Sequence, residues 1–300
     1  MRILITGSNG LLGQKLISRL TQIASVELFI TARGLQAFTF ARGEFHALDI
    51  SQKKRVDQVV ATTRPDVIIN AAAMTQVDPC ELDHDACRRA NVDGVDHLVQ
   101  AARANNAHLI HVSTDFVFDG TQELLDESAA PNPVNYYGTC KWEGEQIVRG
   151  SNISWCIIRT VLVYGVTAGL NRSNIVLWVK KNLEEGKKIR VVSDQWRTPT
   201  LAEDLADACY QAARKRASGL YHVSGKDYLS VYEIALRVAD FFNLDKTLIT
   251  PTESSNLVQP GRRPLKTGFA IGKARKELGF EPHSLDEGLE VMKMQIISEK

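Results

Sequence analysis

Tyr137 and Lys141, four residues apart, have the side chains of a proton-transfer pair. They lie in Tyr137-Gly138-Thr139-Cys140-Lys141-Trp142-Glu143, which reads as the start of a helix, so both side chains share one face. No other tyrosine has a lysine four residues on; Tyr136 has Cys140 at that offset. A phenol with an ordinary pKa near 10 is a poor acid at neutral pH unless its anion is stabilised. Moving it to about 7 takes roughly 4 kcal/mol, which one ammonium at ~4.5 Å supplies at an effective dielectric near 20. The spacing therefore predicts that Lys141 lowers the pKa of Tyr137.

A second cluster is built of glycines. Thr6-Gly7-Ser8-Asn9-Gly10-Leu11-Leu12-Gly13 follows an apolar run and opens an amphipathic one, the strand-to-helix turn of a dinucleotide-binding fold. Gly7 permits the tight turn, Gly10 lets the backbone approach a pyrophosphate, and Gly13 lets helix and strand pack closely. The helix N-terminus then offers free N–H groups and partial positive charge to the phosphates. Gly7, Asn9, Gly10, Leu11, Leu12 and Gly13 are thus expected to hold the cofactor, and Lys141 its ribose. The acid that commonly binds the ribose hydroxyls about 20 residues on is missing, because the second strand ends Thr31-Ala32-Arg33. Arg33 either pairs with a 2′-phosphate or is simply solvated. The first reading makes NADP(H) the expected cofactor, with NAD(H) the other choice.

Val112-Ser113-Thr114-Asp115-Phe116-Val117-Phe118-Asp119-Gly120 closes a third candidate group. Its hydroxyls fall at the carboxyl end of an expected strand, where doubly wound sheets bind ligands. A Ser-Thr-Asp run is also an ordinary turn or helix cap.

The elements that must position these groups follow from periodicity. Short apolar runs at residues 2–6, 26–32, 67–70, 108–113 and 155–159 alternate with amphipathic stretches, the pattern of βαβ units in a parallel sheet. Leu12, Leu16, Leu20 and Ile23 form one helical stripe, and Val95, Leu98, Val99 and Ala102 another. Beyond residue 160 the pattern gives helices over 174–185 and 201–215, strands over 189–192 and 220–223, a proline-punctuated stretch over 250–267 and a last helix over 285–297. The expected architecture is α/β: a Rossmann-type doubly wound sheet in residues 1–160, with a smaller α/β substrate lobe, 161–300, interleaved with the last sheet strands at 189–192 and 219–223.

Composition narrows the function classes. With 44% hydrophobic and 24% charged residues, 300 residues can bury a core without disulfides. Thirty-six basic against 35 acidic residues give no field to gather nucleic acid or acidic lipid. Five cysteines without a Cys-x-x-Cys pair argue for a reducing cytoplasm and against a zinc site. Cys80, His84 and Cys87 read as a helix face, and no metal is expected. The start of the chain turns polar after three apolar residues, too few for a signal peptide, and no membrane span is expected.

The chain resembles the extended short-chain dehydrogenase/reductases and, among them, the dTDP-4-dehydrorhamnose reductase branch. The resemblance covers most of the chain. It is carried by the glycine loop, Leu48-Asp49-Ile50, Asn70-Ala71-Ala72-Ala73, Asn91-Val92-Asp93-Gly94, the Ser113–Gly120 run, Tyr137-Gly138 with Lys141, and Arg159-Thr160-Val161-Leu162-Val163-Tyr164-Gly165. Asp194-Gln195-Trp196-Arg197-Thr198-Pro199-Thr200 and Arg262-Arg263-Pro264 complete it. It implies that Thr114 binds the substrate carbonyl, that Tyr137 donates the proton and that Lys141 lowers its pKa. It also implies that Asp49 and Ile50 contact the adenine and that Ala71, Ala72 and Ala73 line the cofactor groove. Asn91 either positions the lysine through water or bonds backbone. Thr75, Thr114, Phe116, Gln195, Arg197 and Arg263 are the implied substrate contacts, the last three as handles for an anionic group.

The implied reaction is hydride transfer from NADPH to the ketone of a nucleotide-linked 4-keto sugar. Related dehydratases carry Glu where this chain has Phe116, which favours reduction over elimination. The branch commonly has Tyr at Phe116 and Trp at Leu162, so hydrogen bonding and stacking around the sugar differ here. Two alternatives stand beside the reductase: an NADP-binding regulatory subunit like that of methionine adenosyltransferase, and a sugar-nucleotide epimerase. A small-molecule substrate and a homodimer complete the expectations.

Overall fold

A computed structural model describes residues 1–36, 38–167 and 174–298 of the chain. Seven strands form one parallel sheet: β1 (Arg2–Thr6), β2 (Glu27–Ala32), β3 (Glu44–Ala47), β4 (Val67–Asn70), β5 (His108–Thr114), β6 (Trp155–Thr160) and β7 (Gly219–His222). Their order is β7-β6-β5-β4-β1-β2-β3, so the winding reverses between β1 and β4. The carboxyl ends of those two strands are the ligand crevice of a doubly wound sheet.

Alternation along each strand feeds a core on both faces. Ile3, Ile5, Ile30, Ile69 and Ile110 face one side, under α1 (Leu11–Thr21). Leu4, Phe29, Ile68, Leu109 and Ile157 face the other, under α2 (Lys53–Thr63). Two short helices, α3 (Val77–Leu82) and α4 (His84–Arg88), lead through a π-helical turn, Arg89–Asp93, into α5 (Gly94–Asn105), which also packs on the second side. Next, α6 (Tyr136–Arg149) carries the tyrosine and lysine. Asn135 caps it, accepting from the Gly138 N–H at 2.8 Å, which starts the helix one residue before Tyr137.

Beyond β6 come α7 (Ile175–Glu184), α8 (Ala202–Lys215), α9 (Val231–Phe241), α10 (Gly272–Leu278) and α11 (Leu285–Ser298). Helix α8 returns to the sheet: its Leu205, Ala208, Cys209 and Ala212 lie in the same core as Leu16 and Leu20 of α1. A separate core gathers Val176, Val179, Ile189, Ile234, Val238 and Leu289. Of the two strands expected to interleave with the sheet, Gly219–His222 does so beside β6. Ile189–Val192 instead pairs in parallel with Ile249–Thr252 in a two-stranded ribbon. That partner strand lies in the stretch expected to be irregular, where its Pro251 sits on a two-stranded edge that tolerates a missing donor. No described helix is long and apolar enough to cross a membrane, and no described group of His, Cys, Asp and Glu has the geometry of a metal site.

Candidate active site

The glycine loop crosses the end of β1 at the reversal point. Gly7 has φ +70°, and a Cβ there would stand 2.7 Å from the Ala71 carbonyl oxygen at the end of β4. A Cβ on Gly13 would collide with the Gly7 carbonyl. Helix α1 begins at Gly10 with no side-chain cap, leaving the first-turn N–H groups of Leu11, Leu12 and Gly13 to an outside acceptor. Ser8 Oγ is buried with no partner among the described residues. An uncapped N-terminus, a bare backbone cradle and an orphaned hydroxyl suit a pyrophosphate. Asn9 donates to the Leu35 carbonyl at 3.0 Å, joining the loop to the segment after β2. Arg33 starts that segment, exposed and without an ion pair among the described residues. Asp49 accepts from the Ser51 N–H and hydroxyl at 2.9 and 2.7 Å, and Ile50 is buried against Gly94. Ala71, Ala72 and Ala73 are half-buried just past β4, and Thr75 is exposed beyond them.

Strand β5 delivers Thr114 to the same edge. Thr114 Oγ1 donates to Asp115 Oδ1 at 3.0 Å and accepts from the Phe116 N–H at 3.2 Å. Gly138 lets α6 come close, since a Cβ there would strike the Phe116 carbonyl. Gly144 does the same one turn past the lysine, where a Cβ would stand 2.7 Å from the Asn91 carbonyl oxygen. Phe116 meets the Tyr137 ring edge to face at 6.0 Å.

The electrostatics differ from the spacing argument. Burial pushes the Tyr137 phenol up, with Thr114 opposing. The Lys141 ammonium lies on β5, 2.7 Å from the Val112 carbonyl oxygen and 3.3 Å from His111 Nε2. Burial instead brings Lys141 itself down to about 8, with Glu145 and Cys87 opposing. The outcome is a phenol that keeps its proton at neutral pH beside a lysine that readily gives one up.

Asn91 resolves to its backbone role. It brackets Met74, accepting from its N–H at 3.1 Å and donating to its carbonyl at 2.9 Å. The group in contact with the lysine is His111, which the sequence reading missed. The three expected anion handles are also committed within the protein. Gln195 donates to Ser254 Oγ at 2.8 Å. Arg197 is 3% exposed, with its terminal nitrogens on the carbonyls of Trp196, Pro264 and Leu265 and on Gln195 Oε1. Its Nε lies 3.8 Å from Asp115, and its guanidinium covers Phe116 at 5.7 Å. Arg263 pairs with both oxygens of Asp78. A buried arginine whose donors are spent on carbonyls shapes the wall of a site; it does not offer itself to an anion.

One further group was missed. Glu145 and Arg159, both fully buried, make a two-pronged pair at 2.8 and 2.7 Å, and Ser113 donates to the same carboxylate at 2.6 Å. It ties α6 to β5 and β6 at the level of the site. The only sequence signal was a charged residue inside an apolar strand, Arg159, whose partner 14 residues earlier nothing marks.

Comparison with known proteins accords with this geometry. The family model for the RmlD substrate binding domain matches residues 1–296. The chain belongs to that family. It is 30% identical over 300 residues to a dTDP-4-dehydrorhamnose reductase of Aggregatibacter actinomycetemcomitans, covering 96% of this chain and 97% of that protein. It is 33% identical over 262 residues to the methionine adenosyltransferase 2 subunit beta of Bos taurus, covering 86% of this chain and 77% of that one. The crystal structure of a dTDP-4-dehydrorhamnose reductase from Bacillus anthracis in complex with NADP superposes with a TM-score of 0.86 at 31% identity, over 98% of this chain and 99% of that one.

Proposed function

We propose that this family member is an NADPH-dependent reductase of a nucleotide-linked 4-keto sugar, with dTDP-4-dehydrorhamnose the first substrate to test. The observation that carries the reading is that the buried Thr114, at the end of β5, and the buried Tyr137, in the first turn of α6, stand at the sheet edge that also carries the glycine cradle. Residues 1–160 hold the dinucleotide and residues 161–300 supply the substrate lobe. Gly7, Gly10 and the first turn of α1 hold the pyrophosphate, Asp49 and Ile50 border the adenine, and Arg33 meets the 2′-phosphate. The bound dinucleotide supplies a hydride to the ketone carbon. Tyr137 donates to the ketone oxygen, joined by Thr114 once its hydroxyl turns from Asp115, and Tyr137 gives up its proton as the alkoxide forms. Phe116 and Arg197 wall the site and exclude water, and the lack of a carboxylate at Phe116 leaves no base for elimination.

Six vertebrate relatives are named as the beta subunit of methionine adenosyltransferase 2, which is the observation that favours the non-catalytic reading. The chain nevertheless keeps each group a reduction needs, and reductase relatives cover its full length more completely. NADPH oxidation with dTDP-4-dehydrorhamnose separates the two. Turnover supports the reductase, whereas tight NADPH binding with no turnover on any 4-keto sugar nucleotide supports the regulatory role. Five buried, unpaired cysteines suit a reducing cytoplasm.

A further inference from the structure

The contact between Lys141 and His111 sits in a fully buried polar chain. Thr6 Oγ1 donates to Asn70 Oδ1 at 2.6 Å, and Asn70 Nδ2 lies 3.1 Å from His111 Nδ1. His111 Nε2 lies 3.3 Å from Lys141 Nζ. Thr6, Asn70, His111 and Lys141 are each at most 2% exposed. The direction of the chain is set at its far end. The Ala72 backbone N–H, which can only donate, points at Thr6 Oγ1 and Asn70 Oδ1 at 3.2 and 3.3 Å. A contact of 2.6 Å between Thr6 and Asn70 suits O–H to carbonyl oxygen and is short for an amide N–H donor. Both observations place the carbonyl oxygen of Asn70 toward Thr6 and its NH2 toward the histidine. His111 Nδ1 must then accept, so the proton of the neutral ring is on Nε2.

We propose that His111, locked by Asn70 as the Nε2–H tautomer, points a donor at Nζ of Lys141 and thereby favours the free amine over the ammonium. An amine accepts from Nε2–H and donates to the Val112 carbonyl; an ammonium has no lone pair to offer and meets the imidazole N–H head on. His111 is a positioning and tuning residue that acts through the lysine. The groups facing Lys141 are Glu145 from its own helix and Cys87 from α4, both favouring the charge, with burial against it, and His111 from β5 at 3.3 Å. His111 itself is held well below the ordinary imidazole range by burial and by Lys141, so it stays neutral. The catalytic consequence rests on the reductase reading: activity is then lost on the alkaline side as Lys141 gives up its proton, at a pH that the Nε2–H of His111 lowers.

Two measurements test this on the full chain. In ¹⁵N-histidine NMR of the wild-type protein, His111 should show a bare Nδ1 and a protonated Nε2 from pH 6 to 9. A protonated Nδ1 overturns the proposal, whether or not the protein turns over any ketone. In NADPH oxidation with dTDP-4-dehydrorhamnose, His111→Phe should move the alkaline limb of the kcat/KM profile upward by about half a unit or more. A limb that stays in place or moves down overturns it, since a merely structural role lowers the rate without that shift. If no variant turns over substrate, the reductase reading fails while the NMR result still decides the tautomer.

Discussion

Tyr137 holds its proton across the neutral range because burial pushes the phenol up. For a residue that must give a proton to a nascent alkoxide, that is the useful ground state. Tyr137→Phe keeps the ring and its edge-to-face contact with Phe116 but removes the only proton at that point. It should lower kcat by about 10²–10⁴-fold while NADPH still binds, read by turnover and fluorescence titration. Thr114→Val keeps the shape and removes one of the two donors to the ketone oxygen, and should cost about 10²–10³-fold in kcat. Arg33→Ala should weaken NADPH binding and leave NADH binding unchanged; equal losses for both would remove the 2′-phosphate role.

Helix α6 is the element on which the site depends. Asn135 starts it, Gly138 and Gly144 let it approach the Phe116 and Asn91 backbone, and Glu145 anchors it to Arg159. Arg159→Met removes one partner of a fully buried pair and strands Glu145, so stability should fall by about 3–5 kcal/mol in urea unfolding. Replacing both Glu145 and Arg159 with apolar residues of like volume should cost far less, because no charge is then left uncompensated.

This is also the scale at which the sequence reading succeeded and failed. Strands β1, β2, β4, β5 and β6 stood out as apolar runs because they are buried on both faces. Strand β3 was missed, since Glu44, Phe45, His46 and Ala47 lie at the sheet edge with no buried residue among them. The positions of Tyr137 and Lys141 on one helix, and of Thr114 at the end of a strand, were legible because a four-residue spacing and an apolar run mark them. The contacts of His111, Asn70 and Glu145 were not legible, because their partners stand 14 to 64 residues away and meet only when the sheet forms. The handles expected at Gln195, Arg197 and Arg263 look like exposed anion binders in sequence. Only the folded chain reveals the carbonyls and the Asp78 carboxylate that occupy them.

Across the whole molecule, buried imidazoles set the acid limit of stability. Burial lowers His108 to about 4 and His222 to about 3, and His111 lies well below the ordinary range. In each case the unfolded chain binds a proton that the folded chain refuses. Their contribution is therefore fully present above about pH 6.5 and is lost as pH falls from there toward 4. Asp115 and Asp204, raised by burial, act in the opposite direction over the acidic range. With three imidazoles against two carboxyls, Tm should drop as pH falls from about 6.5 to 4, as scanning calorimetry would record.

The glycine cradle, the Thr114–Tyr137 pair and the tuned lysine converge on one reaction, so the decisive measurement is NADPH oxidation by the full chain with dTDP-4-dehydrorhamnose, run beside Tyr137→Phe. The account predicts steady turnover by the wild-type protein and a loss of at least about 100-fold in the variant with NADPH binding preserved. Undiminished turnover by Tyr137→Phe, or no turnover by a wild-type protein that binds NADPH, would contradict it.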